Sequence, residues 1–434
     1  MIRQCFTLMG LAALGATMVA SPARAQEGGL QLGGTKVGAK LRLEAGFNSN
    51  VLGNAEEASA LQLNILPSVS LSTPRPGFVA WSGALGGGWR QYLASESAVS
   101  EQSDLDANVA LAAKVNPNGM FSVTPGNRFR LLSPPNNSAS VKEERDAAPL
   151  QNLTNEAYLE LGYHPGGSVG RSRLGLSGTL RGSWKANRYG NADRDRDAVG
   201  ASALVRYHFL PRTSAHVRGS FESVSFDKSS SETIVGVIQN RDSAPVRVFV
   251  GGETLFSARF EAAAEVGFGS AGFDDVSDSP ETLVAAARAT YYLSRRSSIG
   301  LEYDRDFADA AAATWLQYDT VGLKFAFKER LVEAKAGASV SMRSFGDVLP
   351  TSVTDSGVQL GEITDRSDRL LGLDAAVGFK ISPFAFAGLQ YRLQQKAGDA
   401  GSADSSTDVE VNAEDLAPND FTRNQVFLTF ELRY

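Results

Sequence analysis

From Val37 to the final Tyr434, segment after segment of this chain alternates apolar and polar residues with a period of two. That period is the geometry of a β-strand with two unlike faces and does not fit the 3.6-residue repeat of a helix. The closing segment, QVFLTFELRY, shows it best. Val426, Leu428, Phe430, Leu432 and Tyr434 fall on one face, with Gln425, Thr429, Glu431 and Arg433 on the other. In 332–343, Val332, Ala334, Ala336, Ala338, Val340 and Met342 oppose Glu333, Lys335, Ser339 and Arg343, and 174–185 alternates in the same way. The chain is therefore all-β. A soluble sandwich packs its apolar face inside, whereas an outer-membrane barrel turns that face to lipid and lines a wet lumen with the polar one. Alternation alone admits both.

Three features favour the barrel. The connections are alternately short (73–77, 116–119, 210–214, 294–297, 382–384) and long and polar (133–152, 226–244, 344–367, 396–420). Short periplasmic turns opposite long extracellular loops are how such barrels are built. Small outward residues (Ala262, Ala264, Ala285, Ala287, Ala289) are joined near strand ends by Tyr163, Trp184, Tyr207, Phe209, Tyr291, Tyr303 and Phe327, as an aromatic girdle requires. The last strand ends on an aromatic residue, and Phe430, Leu432 and Tyr434 resemble the C-terminal assembly signal of bacterial outer-membrane barrels. The expected fold is an antiparallel up-and-down barrel of about 18 strands, an even number within the range for such barrels. The first strand falls near 37–48 and the last near 422–434. The fifth, near 119–131, is interrupted by Pro125 and Gly126.

The segment before the strands reads as a leader. Arg3 precedes an apolar stretch from Phe6 to Ala20, and Ala23-Arg24-Ala25 is a small-residue cleavage site, so 1–25 is expected to be a cleaved signal peptide, 26–36 a short periplasmic segment and 37–434 the barrel. No apolar run after Ala25 approaches the roughly 20 residues of a membrane helix, so any crossing is made by strands. Cys5, the only cysteine, goes with the leader, which leaves no disulfide framework or thiolate metal site. Losing Arg3 and Arg24 from 42 basic residues, against 48 acidic ones, takes the net charge from −6 to −8. That balance argues against a nucleic-acid partner, which needs clustered Lys and Arg. About a dozen residues between Gln26 and the first strand leave no room for a plug of the kind found in large transporters.

The alternation also assigns the faces. Lys40, Arg42, Glu44, Arg90, Arg181, Arg206, Arg218, Glu222, Arg247, Arg259, Glu261, Arg288, Glu302, Glu333, Lys335, Asp374, Lys380, Arg392, Glu431 and Arg433 are expected to line the pore. A one-residue slip would put such charges into lipid, where Arg or Lys costs roughly 2–4 kcal/mol at the midplane, so the register is strongly specified. Counted this way the lumen carries about 20 basic and 15 acidic side chains, and the net negative charge resides mainly in the long loops.

The opening strand, GAKLRLEAGFNSNVLG at 38–53, ends in Phe47-Asn48-Ser49-Asn50-Val51. This resembles the aromatic-Asx-Ser/Thr-Asn-Val ending in a family of β-barrel porins often encoded with exopolysaccharide clusters. A recurrent turn of that family is similar to Leu210-Pro211-Arg212-Thr213-Ser214 and Leu293-Ser294-Arg295-Arg296-Ser297. Within the family the chain looks most like the myxobacterial 18-stranded porins of polysaccharide secretion. The resemblance implies polymer export beside a periplasmic polysaccharide export protein. It also implies an outer-membrane site among lipid and lipopolysaccharide, and insertion by the barrel assembly machinery. It carries over no catalytic residue.

Other chemistry is weakly signalled. Gly267, Gly269 and Gly272 fit a G-x-G-x-x-G string, but with no helix behind them they read as strand-end glycines. The run Asp193-Arg194-Asp195-Arg196-Asp197 lacks the turn glycine and distal Glu of a calcium loop. Three histidines (His164, His208, His216) are too few for most metal or acid-base sites. His208 and His216 are expected to face the lumen with no nucleophile motif beside them, so neither catalysis nor a cofactor or metal is expected. Loop acids such as Asp274, Asp275, Asp278, Asp399, Asp404, Asp408, Glu410, Glu414 and Asp415 read as a hydrated surface, with divalent cations bridging them to lipopolysaccharide as a weaker alternative. A barrel of this size holds an aqueous channel. Three functions stay open: a conduit or accessory for exported polysaccharide, a general diffusion porin for small hydrophilic solutes, and a structural or adhesive barrel with a closed lumen.

Overall fold

The computed structural model describes residues 30–32, 34–51, 58–74, 77–95, 97–100, 103–132, 152–165, 175–189, 195–227, 242–273, 280–309, 313–348, 353–354, 357–358, 366–400 and 420–434. The expected leader, most of the long loops, Asp193, Arg194 and nearly all the loop acids named above lie outside them. In chain order the elements are β1 (Leu30–Leu32), β2 (Thr35–Asn48), β3 (Ala60–Ser72), β4 (Val79–Leu93), α1 (Ser97–Ser100), β5 (Asp104–Val115), β6 (Phe121–Leu132), β7 (Asn152–Tyr163) and β8 (Gly175–Tyr189). Then follow β9 (Arg196–Leu210), β10 (Thr213–Phe226), β11 (Ser243–Ser257), β12 (Phe260–Phe273), β13 (Glu281–Tyr292), β14 (Ser297–Asp309), β15 (Ala313–Lys328) and β16 (Val332–Val348). The last are β17 (Val353–Thr354), β18 (Gly357–Val358), β19 (Arg366–Ser382), β20 (Ala385–Ala400) and β21 (Phe421–Arg433).

Each wall strand pairs antiparallel with its sequence neighbours, and β2 closes the ring on β21 from Lys40↔Arg433 to Asn48↔Gln425. The wall is β2–β16 and β19–β21, an 18-stranded closed barrel, with β1 as an additional strand folded back on the start of β2. Closure satisfies every ladder group internally, the condition for strands to cross a membrane. The first wall strand starts at Thr35, slightly before the expected boundary.

The fifth wall strand is continuous through Pro125. The ladder to β5 runs Ala112↔Gly126 and resumes at Val115↔Val123, skipping the proline that cannot donate, while pairing to β7 continues unbroken. Gly126 is a close-approach site rather than a break: a Cβ there would stand 2.3 Å from Cζ of Tyr158, whose ring lies against the backbone.

Alternation places the apolar side chains outside. Val426, Leu428, Phe430, Leu432 and Tyr434 are exposed, as are Leu176, Leu180 and Trp184 on β8 and Val266 and Phe268 on β12. Along β21 the band runs from Tyr434 to Val426, about 20–25 Å once strand tilt is allowed for, which matches a bilayer's apolar height. Opposite parity is buried: Glu44, Asn64, Ser341, Arg343, Phe427 and Glu431 all lie inward.

The two segments read as one recurrent turn close differently. Leu210 pairs directly with Thr213 around Pro211-Arg212, whereas Ser294–Ser297 is held by Ser294 N donating to Ser297 O at 3.2 Å and by the two hydroxyls at 2.8 Å. Another periplasmic turn uses Asn116 at φ 52°, a left-handed conformation that asparagine tolerates, with its amide donating to Phe121 O at 2.7 Å.

Candidate functional site

The candidate site is the inward face of the wall. Because every second residue of each strand points there, cross-strand neighbours stack polar side chains into rows. Near the seam, Lys40 lies 2.7 Å from Glu431, which Arg433 also engages, and Arg42 lies 2.6 Å from Glu44 while donating to Gln390 at 2.8 Å. Asn64 donates to Glu44 at 2.7 Å and Gln62 to Asn64 at 2.9 Å, extending the row onto β3. On the far wall Arg206 and Arg288 converge on Glu253 at 3.1 and 3.8 Å, and His216 and Arg218 converge on Glu265. Arg247 donates to Asp306 at 2.6 Å with its guanidinium over the Phe307 ring. On β6–β8, Arg128 and Arg181 share Glu156.

A common arrangement runs through these rows: Glu156, Glu253, Glu265 and Glu431 are each engaged by two cationic side chains or by one and a histidine. The carboxylates are thus neutralised locally, and basic groups are left in excess along the wall. By register, the inward face carries about three basic side chains for every two acidic ones.

The register places nineteen of the twenty residues expected to line the pore on inward-facing strand positions. Arg259 is the exception. It sits with Ala258 in the turn joining β11 to β12, where its carbonyl accepts from Tyr292 N at 2.7 Å, because parity counted through the sequence does not register that the strand has ended. The structure also brings in groups that sequence reading did not select: Gln62, Asn64, Arg128, Glu156, Tyr158, Glu253, Glu265, Asp306 and Arg423. All of them, Arg423 included through its pairing with Gln394, lie on the inward parity of strands already expected, so that signal was available for them. His216 faces inward beside Glu265 at 3.2 Å, and His208 lies on the same parity of β9. Gly267 and Gly269 lie within β12 rather than at its end. A Cβ at Gly269 would stand 2.5 Å from the ring of Phe307.

The segment Phe47-Asn48-Ser49-Asn50-Val51 ends β2 by turning inward. Asn50 N donates to Asn48 Oδ1 at 3.1 Å, Asn424 N donates to Ser49 Oγ at 2.8 Å, and Arg423 donates to the carbonyls of Asn50 at 2.5 Å and Val51 at 3.2 Å. Val51 then packs with Ala58, Ala60, Tyr92 and Val99, the last on α1, forming a dry corner at the extracellular end of the seam. At the opposite end, in the turn after β7, partial burial and the nearby Lys114 charge hold the His164 imidazole below its ordinary pKa.

Over residues 25–414 the chain matches the family described as "Putative beta-barrel porin 2". The chain belongs to that family. Its barrel is accordingly an outer-membrane porin of a Gram-negative cell. No curated protein matches it in sequence. Solved structures similar in form include Acinetobacter baumannii OccAB4, 11% identical over 95% of this chain and 100% of that one with a TM-score of 0.46. A BenF-like porin from Pseudomonas fluorescens Pf-5 is 12% identical over 93% and 100%, with a TM-score of 0.47. The outer membrane protein opdK from Pseudomonas aeruginosa is 10% identical over 92% and 99%, with a TM-score of 0.45.

Proposed function

We propose that this porin is a conduit, or an accessory barrel, for a secreted polysaccharide, working with a periplasmic export protein. The observation that carries the reading is the lining. Inward rows of amides and hydroxyls such as Gln62, Asn64, Ser68, Ser70 and Gln390 alternate with carboxylates already countered by cations. Sugars need many hydrogen-bond partners, and a field neutralised at short range lets a hydrated chain slide without being trapped by a single charge. An 18-stranded wall is wide enough for such a passage.

The test is deletion of the gene combined with an assay of surface polysaccharide. Loss of the exported polymer, with its periplasmic accumulation and normal assembly of other outer-membrane proteins, is the expected result. Unchanged surface polysaccharide, together with large steady conductance of the purified barrel in planar bilayers, would replace export with general diffusion of small solutes.

A further inference from the structure

The lining is uneven on β6–β8. Arg128, Glu156 and Lys185 form one cross-strand row, Gly126, Tyr158 and Ser183 the next, and Thr124, Glu160 and Arg181 the third. The guanidiniums of Arg128 and Arg181 lie 5.2 and 4.2 Å from the centroid of the Tyr158 ring while both engage Glu156. A guanidinium held over an aromatic ring and tied to a carboxylate has lost most of its rotamer freedom, so its remaining donors are pre-aimed.

Arg130 and Lys185 stand on the same inward face, one row above and beside Glu156, and make no ion pair among the described residues. Among the described residues, these four cations therefore face Glu156 and Glu160, with Glu222 of β10 reaching over Gly200 at the edge. Around them the wall is low: Ser183 pairs with Gly200, Lys185 with Ala198 and Arg128 with Ala110. This leaves a shelf the width of two or three strands, about 10 Å at the interstrand spacing, which is room for a sugar ring or two.

We infer that Arg128, Arg130, Arg181 and Lys185 around Tyr158 form a subsite for a carboxylate-bearing saccharide of the uronate class. The inference rests on the polysaccharide reading and narrows it to acidic polymers. Planar guanidinium forks match a carboxylate bidentately, the shelf of small residues admits the ring that carries it, and Glu156 and Glu160 offer acceptors to the sugar hydroxyls.

The experiment is calorimetric titration of the refolded full barrel in detergent with trigalacturonate, maltotriose and inorganic phosphate. Folding of each variant is checked by heat-modifiable migration. Trigalacturonate is expected to bind at least tenfold more tightly than maltotriose or phosphate, and R130Q/K185Q, which breaks no ion pair among the described residues, to weaken it at least tenfold. Equal binding of maltotriose would overturn the acidic class, equal binding of phosphate would reduce the patch to a general anion site, and an unaffected double variant or no binding would remove the site. Uronate binding with undisturbed secretion in the deletion strain would sink only the export function, whereas lost secretion without uronate binding would sink only the subsite.

Discussion

The two ends of the seam between β2 and β21 are built on different principles. At the periplasmic end, Tyr434 and Ala39 exchange backbone hydrogen bonds at 2.8 and 3.0 Å, and the outward side chains simply continue the apolar band. At the extracellular end the same two strands are locked by side chains. Asn48, Ser49 and Asn50 bend the chain inward, and Arg423, 2% exposed, caps two buried carbonyls from across the seam. On its outward side the first region is specified by a repeating pattern, with the Lys40–Glu431–Arg433 cluster on its inward side, whereas the second is specified by individual side chains that cap named backbone groups.

The harshest way to break that contrast is to attack the strand pairing both ends depend on. At Gly46 an added Cβ would lie 2.0 Å from the Val426 carbonyl oxygen and 2.8 Å from Phe427 Cα, contacts that no side-chain rotation relieves. Gly46→Val is expected to prevent closure altogether. Heat-modifiable migration should be absent after refolding, and a variant that migrates as wild type would show that the seam tolerates backbone displacement. Next in size is Arg423→Ala. It strands the Asn50 and Val51 carbonyls and empties space beside Tyr92, for a cost of about 4 kcal/mol in urea unfolding from lipid vesicles. A loss of less than about 1 kcal/mol would mean water replaces the guanidinium and the corner is not a lock.

These positions also mark what was readable beforehand. The period-two pattern gave the strand count, the faces and the inward position of all but one of the charges singled out, because burial on one side of a strand leaves a direct trace at every second residue. Parity failed at Arg259, where a turn intervenes, and at Phe307. Phe307 shares the parity of the exposed Leu301, yet it is 2% exposed and packed with Phe249, Ala271, Phe273 and Val284. The sequence Phe47–Val51 was conspicuous, but its task was not, since Arg423 lies more than 370 residues away in the chain. Pro125-Gly126 read as an interruption because the ring that occupies the glycine's space, Tyr158, comes from the next strand.

A charge on the lipid side tests the patterned region directly. Leu428 is 67% exposed in the middle of the apolar band of β21, so Leu428→Arg should cost about 3 kcal/mol in vesicles, while Leu428→Ala should change stability far less. If arginine were tolerated as well as alanine, the exposed face of β21 would not be facing hydrocarbon, and the girdle assignment around it would need to move.

The smallest expected effect concerns two ion pairs that look alike on paper. Lys324 lies 2.6 Å from Glu302 with side chains 64% and 51% exposed, whereas Lys396 lies 3.3 Å from Asp368 with side chains 4% and 0% exposed. In the first, water screens both charges and holding two long side chains together costs entropy, so the pair stabilises little despite its shorter distance. In the second, removing the ammonium leaves a carboxylate that cannot reach water. Lys324→Gln should therefore shift unfolding by no more than about 0.5 kcal/mol, against about 3 kcal/mol for Lys396→Gln. Raising salt should erase the difference between Lys324→Gln and wild type while leaving the Lys396→Gln deficit intact, because screening acts only where ions can enter. Equal deficits at both positions would mean that the inward wall around Lys324 is as dry as the extracellular end, and that the lining is packed rather than wet.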